Sequence, residues 1–153
     1  MGCDIHTYAE RKVGDRYELI SNLTPFDWRS YGMYGFLADV RNYSDVPPLA
    51  EQRGLPDDAA AATKEAASNM AGDAHSHTWL SVADLTAFDY CLPLEDRRVT
   101  VQLAENMWSG AGTAGPGGGE MTTYREFLGD EFFADLAKLK EAGADRVVFW
   151  FDN

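Results

Sequence analysis

Two of the chain's three histidines stand two residues apart in Asp73-Ala74-His75-Ser76-His77-Thr78-Trp79, and the third is His6, within Gly2-Cys3-Asp4-Ile5-His6. In extended backbone the side chains repeat every second residue, so His75 and His77 are expected to point the same way. Two imidazoles on one side can hold a metal, or divide the work of general base and general acid, because imidazole changes protonation state near neutral pH. A carboxylate can orient such a ring through its second nitrogen, and Asp4 and Asp152 are the candidates. The plainer reading makes the pair polar loop residues bonded to the backbone ahead of a helix.

Cations and aromatics add to this chemistry. Arg41 or Arg53 would stabilise charge developing on a phosphorus centre, a task suited to the planar guanidinium. Trp79 could stack a base. The ordinary alternatives are surface salt bridges for the arginines and core packing for the tryptophan. A metal-dependent version would use His6, His75, His77 and a carboxylate, donor types found in zinc and manganese hydrolases.

The elements that must position these residues are readable in outline. Residues 3–13 alternate, with Ile5, Thr7 and Ala9 on one face and Asp4, His6, Tyr8 and Glu10 on the other. Gly14-Asp15 turns the chain into a second strand, 16–20, which predicts a β-hairpin. Helical spacing of Met33, Tyr34, Leu37 and Val40 predicts a helix over 30–41 closed by Arg41, with Gly32 and Gly35 weakening it. An Ala-rich surface helix to about Met70 is expected to take Asp57 or Asp58 as its cap. Ser81-Val82-Ala83-Asp84 predicts a short helix to about Phe88 with the histidines in its lead-in. A strand over 97–104 comes next, then a mobile Gly-rich loop at 110–120. Thr123 and Glu126 open a helix over 123–142 lined by Tyr124, Leu128, Phe132, Leu136 and Leu139. The last stretch, 146–152, is apolar on both faces and reads as a central strand with Asp152 at its exposed end. The expected fold is α+β: a small, mainly antiparallel sheet made of the hairpin and the last strand, packed by helices.

Composition bounds the function. At 153 residues the chain is the size of one domain with one core, and 45% apolar and 25% charged residues are ordinary for a soluble protein. The sequence has no run of about twenty apolar residues and no signal-peptide pattern. His6 stands where the acylation pattern after Met-Gly-Cys wants Ser or Thr. Two cysteines, Cys3 and Cys91, suit reduced thiols and a cytoplasmic location. A net charge of −12 argues against a nucleic-acid polymer as partner, though not against a small phosphorylated ligand. It also raises a DNA mimic or acidic interaction protein.

Read together, Met-Gly-Cys-Asp-Ile-His at the start, Val40-Arg41-Asn42, Arg53-Gly54-Leu55-Pro56-Asp57-Asp58, His75-Ser76-His77-Thr78-Trp79-Leu80 and the closing Phe149-Trp150-Phe151-Asp152-Asn153 resemble a family of small uncharacterised proteins of bacteriophages and prophages. The likeness covers both ends and the middle but not the Gly-rich stretch, and Thr78 replaces the family's usual Ser. The resemblance implies a phage protein working in the cytoplasm of an infected bacterium. Its shared words are polar, which implies a pocket built with Asp4, His6, Arg41, Arg53, Asp57, Asp58, His75, His77 and Asp152. By analogy, small phage proteins of this kind counter host immunity, often through nucleotide second messengers. The leading expectation is a phosphodiesterase-type hydrolase of a cyclic nucleotide signal, with His75, His77 and His6 catalytic. It requires no cofactor, with a divalent metal as the variant, no membrane, and leaves homo-oligomerisation open. A non-catalytic sponge for the same signal is the alternative.

Overall fold

The computed structural model describes residues 2–102 and 109–153. The chain runs β1 (Asp4–Val13), β2 (Arg16–Leu19), α1 (Tyr31–Ala38), α2 (Ala61–Asn69), β3 (Ala74–Ser81), α3 (Val82–Ala87), β4 (Pro93–Asp96), β5 (Arg98–Gln102), β6 (Ser109–Thr113), β7 (Glu120–Thr123), α4 (Tyr124–Leu128), α5 (Asp130–Glu141) and β8 (Arg146–Asp152). The main sheet has four antiparallel strands in the order β2-β1-β8-β3. The expected α+β architecture is the one found. Two small two-stranded sheets, β4 with β7 and β5 with β6, lie outside it.

The register explains why β8 has no polar face. Val147, Phe149 and Phe151 turn to the main core, where helices α1, α3 and α5 pack, while Val148 and Trp150 turn to a second cluster with Ala67 of α2. All five are at most 1% exposed. A strand buried on both faces must be apolar throughout, and full burial of such a side chain is worth roughly 1.5–3 kcal/mol. Trp150 is held by Tyr8, stacked at 4.7 Å, and by a hydrogen bond from its indole N–H to the Met70 sulfur at 3.5 Å.

Several boundaries differ from the sequence reading, each for a local reason. Helix α1 stops at Ala38, three residues early, because Asp39 takes a left-handed conformation (φ 58°) and Arg41 another (φ 47°). Its glycines admit neighbours: a Cβ on Gly32 would meet the Arg98 guanidinium and the Phe127 ring, and one on Gly35 would meet Asn42. Neither Asp57 nor Asp58 caps α2, whose N-cap is Ala60 with no side-chain hydrogen bond of its own. The Glu10 carboxylate, fully buried, does that work by accepting from Ala60 N–H at 2.8 Å and the Thr63 hydroxyl at 2.7 Å. The long C-terminal helix is two helices, split at Gly129 (φ 85°), with Thr123 capping the first as expected. The stretch 110–120 is not a single loop, since 109–113 forms β6 against β5. The end of the strand expected over 97–104 lies outside the described residues.

Candidate functional site

The histidines sit in β3, which leads directly into α3 with Ser81 as its cap, as expected, and the strand is irregular. Phe151 pairs with His75 and Phe149 with Thr78, so two residues of β3, Ser76 and His77, oppose Trp150 alone. This is a β-bulge, and Ser76 takes the left-handed conformation that lets the extra residue bow out (φ 59°). One inserted residue reverses the facing of every residue beyond it in the strand. His75 therefore stacks on Phe151 (6.2 Å between centroids) and His77 lies against Trp150 (5.4 Å), adjacent residues of β8 that face opposite sides. The expectation that His75 and His77 share a side is overturned: His77 lies on the Trp150 face of the sheet and His75 on the Phe151 face. Among the described residues, no group of three or more His, Cys, Asp or Glu side chains is arranged to hold a metal, so the His6, His75, His77 and carboxylate set does not assemble.

His6 shares the Trp150 face, and its Nε2 lies 2.7 Å from the Asp152 carboxylate at the last position of β8. This pair is accessible, at 32% and 27% side-chain exposure. Across the end of the sheet, Asn153 Oδ1 lies 3.3 Å from His75 Nε2 and accepts from Arg41 NH2 at 3.4 Å. Arg41 also lies over the Tyr31 ring and donates to the Tyr43 hydroxyl at 3.5 Å. Asp4 receives a two-pronged contact from Arg29, Nε and NH2 each at 3.0 Å. Desolvation, with a smaller contribution from His75, pushes the His77 pKa below the ordinary imidazole value, so His77 favours its neutral form. Burial, outweighing the nearby Arg41, raises the Cys3 thiol, which makes it a poor nucleophile.

The rest of the expected constellation lies elsewhere. Arg53 rests on the Trp79 ring at 4.3 Å and donates to the Trp79 carbonyl, and Arg146 approaches the same ring, so Trp79 is not free to take a base. Asp58 accepts from Arg146 at 2.9 Å. Asp57 is exposed on the turn before α2.

Beside the Asp4–Arg29 contact opens a cleft of 570 Å³, within the range of small-molecule sites. Trp28, Arg29, Ser30 and Tyr31 lead into α1 on one side, Tyr43 and Arg98 face it, and Gly112 and Thr113 of β6 complete it. Ser30 caps α1 by accepting from Met33 N–H, and no acidic residue lies in the helix's first turn. The start of α1 thus offers a positive helix end to an anion. Two guanidiniums and three aromatic rings surround the same space. Arg29 keeps half of its side-chain surface exposed; Arg98 holds Asp96 with two bonds of 2.9–3.0 Å. The sequence reading missed all of these residues. Trp28-Arg29-Ser30-Tyr31 carried the signal, a cation and aromatics flanking a helix cap.

No protein-family model matches the chain, and neither the curated proteins nor the solved structures contain a match. What the site can do is therefore read from its own residues. Among those described, no helix is long and apolar enough to cross a membrane.

Proposed function

We propose that the chain binds a small nucleotide-derived phosphodiester in the cleft between Trp28–Tyr31, Tyr43 and Arg98, and holds it intact. The observation that carries this reading is the meeting of Arg29, Arg98 and the α1 N-terminus with the rings of Trp28, Tyr31 and Tyr43 around 570 Å³. Phosphate oxygens suit guanidinium and helix N–H donors, while a base needs only a π-face to stack on. Storage needs no proton transfer, and the opposed placement of His75 and His77 removes the acid–base pair that hydrolysis would have used. With the phage resemblance, the ligand class is a cyclic nucleotide signal of host immunity, and the protein a sponge for it.

Hydrolysis remains as a second reading on one observation, the 2.7 Å contact of His6 with Asp152. A carboxylate-oriented imidazole at an open strand end is a competent general base.

Incubation with a panel of cyclic mononucleotides and dinucleotides, then chromatography of both the free fraction and the nucleotide released on denaturing the protein, separates the readings. Recovery of one intact nucleotide is the expected result. A cleaved product, lost in the His6→Ala variant, would replace storage by hydrolysis. Neither retention nor cleavage of any nucleotide of the panel would refute both.

A further inference from the structure

One edge of β1 is open where it should be paired. Strand β2 covers β1 only from Ala9 onward, beginning with Ile20 N–H donating to the Ala9 carbonyl at 2.8 Å. Main-chain groups of an antiparallel strand alternate between its two neighbours, so if Ala9 faces β2, Ile5 and Thr7 face the same side. Cys3 obeys the same alternation, since its N–H reaches out to the Tyr31 hydroxyl. Between Cys3 and Ala9, among the described residues, neither Ile5 nor Thr7 makes a hydrogen bond on that side. The Thr7 hydroxyl is likewise without a partner, in a residue only 6% exposed. The unpaired N–H and C=O groups of Ile5 and Thr7 therefore fall together on one short edge, open to pairing, while the Thr7 hydroxyl points to the core face with Ile5 and Ala9 and stands outside that ladder.

A groove of 260 Å³ runs along that edge, with Ile5–Tyr8 on one wall and Thr24 and Asp27 on the other. It is smaller than the usual site for a drug-sized molecule. Its spacing of donors and acceptors is that of a β-ladder. We infer that this edge takes an extended segment of a partner protein, added as a short extra strand against Ile5 and Thr7. The charge of the groove selects the partner. Among the described residues the Asp27 carboxylate accepts only from the Thr24 hydroxyl, at 3.1 Å, and keeps acceptor capacity. The chain as a whole carries −12. A second copy of this chain would bring the same negative charge to the edge, whereas a lysine- or arginine-bearing segment complements it. This surface is distinct from the cleft proposed for the nucleotide.

The test uses two capped seven-residue peptides, one alternating valine with lysine and one alternating valine with glutamate, and amide hydrogen exchange read by NMR. In the free protein, the Ile5 and Thr7 amides are expected to exchange much faster than those of His6 and Tyr8, the alternating residues of β1 that face β8. The lysine peptide should slow them about tenfold or more, the glutamate peptide should not, and Asp27→Asn should weaken the lysine peptide several-fold. Ile5 and Thr7 amides already as protected as their neighbours in the free protein would overturn the open edge. No slowing with either peptide would overturn strand addition, and equal slowing with both would overturn the basic partner.

Discussion

Glu10 and Asp4 stand on the same face of β1, and each has a cross-strand partner on β8, Arg146 for one and Asp152 for the other. At the Glu10 end every polar atom is spoken for. Glu10 binds Arg146 Nε at 2.8 Å, with Ala60 N–H and Thr63 on its other oxygen, and Arg146 spends its remaining donors on Asp58 while its plane lies 3.4 Å from the Tyr17 ring centroid. Glu10 is 0% exposed and Arg146 4%. At the Asp4 end the groups are half open: Arg29–Asp4 at 52% and 54% side-chain exposure, His6–Asp152 at 32% and 27%. One ladder thus has a saturated end that fixes the fold and an unsaturated end with capacity to spare. Polar residues in a strand say little about function until their partners are counted.

The sharpest way to break this contrast is at the saturated end. Glu10→Gln takes from Arg146 its buried counter-charge, leaving it only the exposed Asp58 carboxylate, and is expected to cost about 3 kcal/mol in denaturant unfolding, the lower end for breaking a buried pair. Asp4→Asn, at the open end, should leave the unfolding midpoint nearly unchanged. Equal losses would erase the distinction. Next in size, Tyr43→Ala, a half-exposed ring of the cleft, should lower affinity for the retained nucleotide roughly 5- to 150-fold, the range of one lost base stack, without moving the midpoint. Third, Ser76→Val places a β-branched residue at φ 59° and should cost about 1–2 kcal/mol; an unchanged midpoint would mean that the bulge is not held as described.

The smallest effect is a pH dependence. The His77 pKa is lowered in the fold, by desolvation first and by His75 second, from 6.5. The unfolded chain binds that proton more readily than the folded one. The His77 contribution is fully present above the unfolded value and is lost as pH falls through the folded one. Wild type should therefore lose more stability than His77→Gln between about pH 7.5 and pH 5.5. Parallel curves would show that the ring is not desolvated against Trp150.

How much of this was legible in the sequence depends on the range over which each cause acts. The hairpin, the Thr123 cap and the doubly apolar 146–152 strand are written in nearest neighbours, and they were readable. So was Asp152 at an exposed strand end. The facing of His75 and His77 was not, because Ser76 looks like any other strand residue until the pairing with Trp150 forces a bulge. The role of Glu10 was hidden for the same reason: its partners Ala60, Thr63 and Arg146 come from distant segments. Asp58 has the spacing of a helix cap, and a buried arginine claims it instead. The cleft escaped because its walls come from separated parts of the chain, and the Trp28-Arg29-Ser30-Tyr31 signal marks only one of them.

The order of strands in the main sheet carries a consequence for synthesis. β8 lies at the centre, bonded to β1 on one side and β3 on the other, yet it is the last element of the chain. At roughly 5–20 residues per second, a ribosome exposes the first hairpin many seconds before the strand that completes it emerges. Until then the apolar face of β1 and its unpaired edges wait in solution, and every pairing that β8 then makes closes a long loop. Such a topology folds slowly, with its greatest risk of aggregation in the interval between the first strand of the sheet and the one that completes it.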